Sequence, residues 1–139
     1  MRRFTTVLTV LLAVFPLTFG TQFLLAGHTA APNFGIAEWP TGLAAGYFGV
    51  KGIRDIALGL NLLALFAMGQ RRATGVLMAI SAIVPVTDMI MVLSHGGTAA
   101  TALGIHGLTA AVMLVDAFLL LRERAVTPAL DETLQPAHS

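Results

Sequence analysis

The chain has 139 residues, of which 56% are hydrophobic and 11% charged, whereas soluble proteins carry about 25% charged residues. The formal net charge of +1 gives no basic surface for nucleic acid, and the lack of cysteine excludes disulfides, thiolate metal sites and cysteine nucleophiles. This composition predicts one domain that is almost entirely embedded in a membrane.

Four apolar runs are long enough to cross a bilayer, which takes about 20 residues. The first follows Arg2 and Arg3, as in a secretory signal, but no clean cleavage site follows it, so we expect a retained span. Pro16 predicts a kink within that span. The predicted fold class is all-α, an integral membrane four-helix bundle with antiparallel neighbours over residues 1–124. The predicted spans are residues 4–25, 43–68, 73–93 and 98–121.

The segments that connect the spans differ in length. Residues 26–42 form a long loop around Trp39, which is either an interfacial loop at the level of the lipid headgroups or a lid over a cavity. The turns at 69–72 and 94–97 are short, so the spans on either side of each are predicted to be neighbours. Residues 125–139 contain prolines and acids, and we predict a disordered cytoplasmic tail.

The distribution of positive charge predicts how the spans are oriented. Six of the eight Lys and Arg residues lie on one side of the membrane if the spans alternate, and the two opposite loops contain none. The positive-inside rule then predicts a multi-pass protein of the cell membrane with both termini cytoplasmic. The six residues are Arg2, Arg3, Arg71, Arg72, Arg122 and Arg124.

Charged side chains inside the spans are the main functional signal. Arg54, Asp88 and His106 each lie 15 residues from the cytoplasmic end of their span, or about 22 Å by helical rise. Each charge near a helix centre costs about 2.5–3.5 kcal/mol on insertion, so such groups are expected to face the interior and to pair. Asp88 is the expected partner of Arg54, with Asp55 close by. Asp116 is expected to meet interfacial water or Arg122, outside the site.

Several sequence stretches carry a family resemblance. Gly-Tyr-Phe-Gly-Val-Lys-Gly-Ile-Arg-Asp-Ile-Ala-Leu-Gly-Leu at 46–60 resembles the signature of a family of small four-span membrane proteins of bacteria and fungi, domain of unknown function 4267. Gly-Gln-Arg-Arg at 69–72, Pro-Val-Thr-Asp at 85–88 and Ile-His-Gly at 105–107 are similar to it as well. The resemblance covers about residues 10–122. It implies the four-span topology and assigns no reaction.

The charged cluster predicts a small membrane enzyme that performs general acid–base chemistry on a lipophilic small molecule. Epoxide hydrolysis or isomerisation is the most concrete version, because soluble limonene-type epoxide hydrolases use an Asp-Arg-Asp set with Tyr and Asn, a likeness of residue types alone. The predicted catalytic residues are Arg54, Asp55, Asp88 and His106. The predicted substrate-binding residues are Tyr47, Lys51, Asn61 and Trp39, the first three being placed on one broad face of the second span with Arg54.

Two other classes of function stay open. The protein could be a non-catalytic structural or assembly subunit whose buried charges fix helix register, or a ligand-binding or proton-coupled transport protein. The expected partners are membrane lipid and a lipophilic small molecule, without nucleic acid, and a homo-oligomer stays open. No metal and no cofactor is predicted, because Lys51 and Arg54 would compete with a cation bound by His106 and the acids.

Overall fold

The computed structural model describes residues 2–36 and 38–123, and within them it is helical and contains no strand. This confirms the predicted all-α class, while the predicted tail at 125–139 lies outside the described residues. The α-helices are α1 (Arg2–Ala30), α2 (Gly46–Ala67), α3 (Arg71–Ser81), α4 (Ile83–Ser94), α5 (Ala99–Thr101) and α6 (Leu108–Arg122). Other helical segments are the 3-10 turns Ala31–Phe34 and Gly42–Ala45 and the π-helical turn Ala102–Gly107.

These segments make four long helical rods, as predicted. Ala82 keeps helical dihedral angles (φ −63°, ψ −16°), so α3 and α4 form one rod. The segment α5, the π-helical turn and α6 follow one another without a gap and form another. We call the end of the bundle with residues 31–45 and 95–98 the loop end, and the end with Arg2, the α2–α3 turn and Arg122 the termini end.

The length and composition of the rods indicate a membrane protein. Three of them are long and apolar enough to cross a membrane, namely Arg2–Phe34, Arg71–Ser94 and Ala99–Arg122. The fourth, α2, has 22 residues but carries three charged side chains and is not among them. Large apolar side chains such as Leu11, Ile83 and Leu108 are exposed on the outside of the bundle, where a bilayer would cover them.

Helices α1 and α2 touch through their backbones. A Cβ atom built on Gly52 would lie 2.6 Å from the carbonyl oxygen of Gly20, and one on Gly59 would lie 2.6 Å from that of Ala13. Only glycine fits at such distances, and small residues commonly permit this approach between helices in lipid. Gly46, also on α2, has open space around it. Gly52 and Gly59 therefore form the helix contact, whereas Gly46 does not take part in it.

Two buried clusters fill the bundle. The cluster at the loop end is aromatic, and its rings of Phe23, Phe34, Trp39 and Phe48 lie 5.5–6.5 Å apart in tilted or edge-on pairs. We call these four residues the aromatic cluster. The other cluster lies toward the termini end and is aliphatic. We call it the apolar layer, and its buried members are Ala13, Leu62, Met78, Ala82, Met113 and Ala117.

The predicted kink in the first span falls elsewhere. The helix runs through Pro16, and the residue within α1 that has non-helical dihedral angles is Ala26 (φ −145°, ψ 46°). Proline removes one hydrogen bond but keeps φ near its helical value, so neighbouring helices can hold the rod together. The bend at Ala26 instead turns the chain into the 3-10 segment that begins at Ala31.

Asp116 is a correction to the sequence-based expectation. Its side chain is 0% exposed and lies 2.8 Å from the hydroxyl oxygen of Thr9, so it meets neither interfacial water nor Arg122. The Arg122 guanidinium lies over the ring of Phe118 at 5.1 Å. From its sequence position Asp116 was expected near the end of the span, at the membrane surface. In the structure, residues of α1 and α3 cover it on that side. The carboxylate is therefore enclosed.

A second polar group lies beside Asp116 at the termini end. The Arg71 guanidinium forms an ion pair with Glu123 through two hydrogen bonds, of which Nη2 to Oε1 measures 2.8 Å, and it also donates to the Thr6 hydroxyl at 3.2 Å. Arg2 lies 3.9 Å from the same Glu123 carboxylate. This group joins α1, α3 and the end of α6.

We predict that Gly52→Ala destabilises the protein by about 1–3 kcal/mol, the usual range for overpacking a tight contact. The added methyl would collide with the backbone of α1, which cannot move aside as a side chain could. Unfolding of the purified protein in detergent measures the effect. Gly46→Ala is the matched control, and equal losses in the two variants would contradict the helix contact.

We predict that Thr9→Val destabilises the protein by about 1–3 kcal/mol, because it leaves the buried Asp116 carboxylate without its hydrogen-bond partner. The control is Thr18→Val, since Thr18 is exposed and bonds only within its own helix, to Val14 and Phe15. Unfolding in mixed micelles compares the two. A loss no larger for Thr9→Val than for the control would show that Asp116 gains little from this bond.

Candidate functional site

An apolar cavity lies among α1, α2, α4 and the last rod. The space open to the centre of a water-sized sphere is about 80 Å³, enough for several waters at about 10–15 Å³ each. We call it the inner cavity. Its apolar walls are Leu12, Phe15, Pro16, Phe19, Leu58, Leu62, Val84, Pro85, Ile105 and Met113. Its polar residues are Lys51, Asp55, Ser81, Asp88, His106 and Thr109.

A second cavity adjoins it toward the loop end. This outer cavity measures about 300 Å³ in the same way and lies between α2, the start of α4 and the loop before α2. Lys51, Asp55 and Asp88 line both cavities, so the charged residues stand where the two meet. The residues that line the outer cavity are Trp39, Pro40, Tyr47, Phe48, Val50, Lys51, Arg54, Asp55, Val84 and Asp88.

Lys51 is the partner of Asp55. The Lys51 ammonium lies 2.9 Å from the Asp55 carboxylate, one turn along the same helix. It also lies 5.0–5.7 Å from the ring centres of Phe19, Phe23 and Phe34, within the range of a cation–π interaction. Both partners are largely shielded, with side chains 25% and 15% exposed. The ion pair therefore sits against aromatic rings, where its charges interact more strongly than in water.

Asp88 faces His106 across the cavity. The Nδ1 atom of His106 lies 4.0 Å from a carboxylate oxygen of Asp88, and its Nε2 atom lies 2.9 Å from the carbonyl oxygen of Phe34. A carbonyl oxygen only accepts, so Nε2 is the donor in this hydrogen bond, and Nδ1 is the ring nitrogen that faces Asp88. At 4.0 Å the two atoms are too far apart for a direct hydrogen bond.

The backbone is irregular where it lines the inner cavity. Proline has no N–H, so Pro16 gives no helical hydrogen bond to the carbonyl of Leu12, and Pro85 gives none to that of Ser81. All four residues line the inner cavity. His106 lies in the π-helical turn, a rare element that is frequent at functional sites. Three of the four rods thus depart from regular α-helix at this cavity.

The structure brings together Asp55, Asp88 and His106, three of the four predicted catalytic residues, at the inner cavity. Arg54 differs from the expectation. It is exposed, lines only the outer cavity, and makes no ion pair or hydrogen bond within residues 2–36 and 38–123, so the predicted Arg54–Asp88 pair does not form there. Lys51 takes the place next to the carboxylates because it is one helical turn from Asp55, whereas Arg54 points about 100° away from it.

The predicted substrate-binding residues divide in the same way. Lys51 lines both cavities, while Tyr47 and Trp39 line the outer one. Tyr47 is 71% exposed, and Trp39 is half-buried in the aromatic cluster. Asn61 is exposed and lines neither cavity, so the broad helix face that grouped it with Lys51 was drawn too wide.

Some neighbours of the charged residues were not identified from sequence. Phe34 contributes a backbone carbonyl, which no side-chain pattern reveals, and Ser81 and Thr109 are ordinary residues of apolar spans. The two mid-span prolines were the available signal for an opening in the helices. No group of three His, Asp or Glu residues suited to a metal occurs in the described part of the chain.

Comparisons with known proteins agree with the family resemblance. No curated protein and no solved structure matches the chain. The family model described as Domain of unknown function (DUF4267) matches residues 13–120, which include most of each long helix and every residue that lines the inner cavity except Leu12. The chain therefore belongs to the DUF4267 family.

Proposed function

We propose that the protein is a membrane enzyme that performs general acid–base chemistry on a lipophilic small molecule, with epoxide opening or isomerisation as the most concrete reactions. One observation carries the proposal. Two pairs of titratable groups, Lys51–Asp55 and Asp88–His106, come from three different rods and meet at the loop end of an otherwise apolar cavity. Apolar cavities with a few convergent polar groups are the usual form of small-molecule sites.

In epoxide hydrolysis, one pair would act as the general base and the other as the general acid. Asp55, held by Lys51, takes a proton from water while the water oxygen attacks one carbon of the epoxide. The ring carbon–oxygen bond breaks, and the ring oxygen takes a proton from the Asp88–His106 pair. The product is a diol, and transfer of the proton from Asp55 to the second pair restores the site. Isomerisation would use the same pairs to remove one proton from the substrate and return another.

The geometry gives less support to a purely structural role. Lys51 and Asp55 lie on one helix, so their ion pair cannot set the register between helices. Asp88 and His106 do join two rods, but at 4.0 Å their contact is at the limit of an ion pair. A network that existed for register would place its shortest contact between helices.

Transport is also less well supported than catalysis. The inner cavity ends at Leu12, Leu62 and Met113, and the apolar layer separates it from Asp116 and Arg71. A transported ion or solute would have to cross this layer, in which no charged side chain lies among the described residues. The site is therefore better suited to a substrate that enters and leaves at one side.

We expect the protein, purified in a neutral detergent, to hydrolyse a terminal decyl epoxide to the diol, with one oxygen from isotopically labelled water detected by mass spectrometry. Asp55→Asn and Asp88→Asn should each lower kcat by about 100-fold or more, since each removes a proton-transfer group. Glu38→Gln, the same chemical change at an exposed loop residue, should leave kcat unchanged.

The unfolding temperature of each variant is measured alongside. Loss of turnover with an unchanged unfolding temperature supports the catalytic role. No turnover by the wild-type protein would reject epoxide hydrolysis, and rearranged product without labelled oxygen would identify isomerisation instead. A large fall in unfolding temperature for Asp88→Asn, with no turnover in any form, would favour the structural role.

The positive charges at the termini end support a multi-pass orientation in the cell membrane with both termini cytoplasmic. Because the chain has no cysteine, single cysteines can report this directly. We expect a membrane-impermeant maleimide to label His95→Cys, at the loop end, in intact cells, and to label Gln70→Cys, at the termini end, only after permeabilisation. Both positions are exposed. The reverse pattern would place the active site on the cytoplasmic side.

A further inference from the structure

The outer cavity is lined by a cation, Arg54, that acts on Asp88 only at longer range. Lys51 is matched by Asp55, and Asp88 faces His106, whereas Arg54 makes no ion pair or hydrogen bond with any described residue. Arg54 is nonetheless eight residues after Gly46, where α2 begins, and so lies well inside the helix. An arginine placed within a membrane helix costs about 2.5–3.5 kcal/mol, and such residues usually pair or line a wet cavity.

We propose that Arg54 binds the anionic head of an amphiphilic substrate, a carboxylate or a phosphate ester, in the outer cavity. This inference rests on the proposed function and names the substrate class of that site. A guanidinium offers several donors in a planar fork, which matches the paired oxygens of a carboxylate or phosphate. The structure supplies the room, since the outer cavity is about 300 Å³ and opens beside Arg54.

The two cavities fit the two parts of such a molecule. Its head would lie by Arg54 in the outer cavity, and its reacting atoms where Lys51, Asp55 and Asp88 line both cavities. Its tail would extend into the inner cavity, which reaches from Asp88 to Ser81 along one rod. Ser81 and Asp88 are separated by seven helical steps, or about 10 Å by helical rise.

A substrate can reach the outer cavity from the side of the bundle, because this cavity lies between α2 and α4. Val50 and Val84 line it on opposite sides, and both are exposed on the apolar surface of the bundle, 50% and 38% respectively. An amphiphile in the surrounding bilayer could therefore bring its head to Arg54 while its tail stays in contact with apolar side chains throughout.

Trp39, the chain's single tryptophan, lines the outer cavity and reports binding through its fluorescence. The purified protein in nanodiscs of phosphatidylcholine is titrated with decanoate, decyl phosphate and decanol. We expect the anions to change the Trp39 emission and to bind at least ten-fold more tightly than decanol. Arg54→Gln should weaken anion binding at least ten-fold, and Arg54→Lys should weaken it less, because it keeps the charge.

Arg122→Gln, at the termini end, is the matched control and should leave anion binding unchanged. Nanodiscs containing phosphatidylglycerol distinguish the source of the head group. If that lipid competes with decanoate, the site also accepts a bilayer phosphate, and if it does not, the site selects single-chain anions. Equal affinity of wild type and Arg54→Gln for decanoate, or equal affinity of wild type for decanol and decanoate, would overturn the proposal.

The test is separate from that of the proposed function. Asp88→Asn should lose turnover of the decyl epoxide but keep decanoate binding, whereas Arg54→Gln should weaken decanoate binding. If the wild type turns over the epoxide but Arg54→Gln does not change anion binding, the head-group site is rejected and the proposed enzyme activity stands. If the wild type binds anions through Arg54 but does not turn over the epoxide, the proposed enzyme activity is rejected and the head-group site stands.

Discussion

Backbone contact between α1 and α2 fixes the direction in which the charged residues of α2 point. Gly20 and Gly52 lie so close that neither can carry a side chain, so α2 cannot rotate about its axis. With that rotation set, Lys51 lies over the phenylalanine rings, Asp55 reaches the inner cavity, and Arg54 faces the outer one. The tight helix contact thus also determines where the charges are placed, and the α2 residues of both lie within the stretch 46–60 that carries the family resemblance.

The cavity exists because regular helices do not close around it. Prolines in two rods and a π-helical turn in a third interrupt the helical hydrogen-bond pattern at the same depth. Buried apolar side chains lie on both sides of the inner cavity, with the aromatic cluster at the loop end and the apolar layer toward the termini end. Unpaired backbone groups within a membrane are tolerated where they border protein or a cavity. The inner cavity therefore accommodates both the irregular backbone and the charged side chains.

The all-α class and the four rods could be predicted from hydrophobic runs and short turns, because these depend on local sequence. The convergence of Asp55, Asp88 and His106 could be predicted from depth along straight helices. Whether Arg54 would reach Asp88 could not, since the direction of Arg54 depends on the rotation of α2, which is set by its backbone contact with α1. The enclosure of Asp116 and the hydrogen bond from His106 to the Phe34 carbonyl could not be predicted either. Both depend on contacts between residues that are far apart in the sequence.

The apolar layer has an energetic consequence for any chemistry at His106 and Asp88. It places low-dielectric material, without a charged side chain among the described residues, between these groups and the opposite face of the membrane. Protons consumed or released in the proposed reaction would therefore equilibrate with the aqueous compartment on one side of the membrane. An electrochemical gradient across the bilayer would then neither drive the proposed reaction nor be dissipated by it.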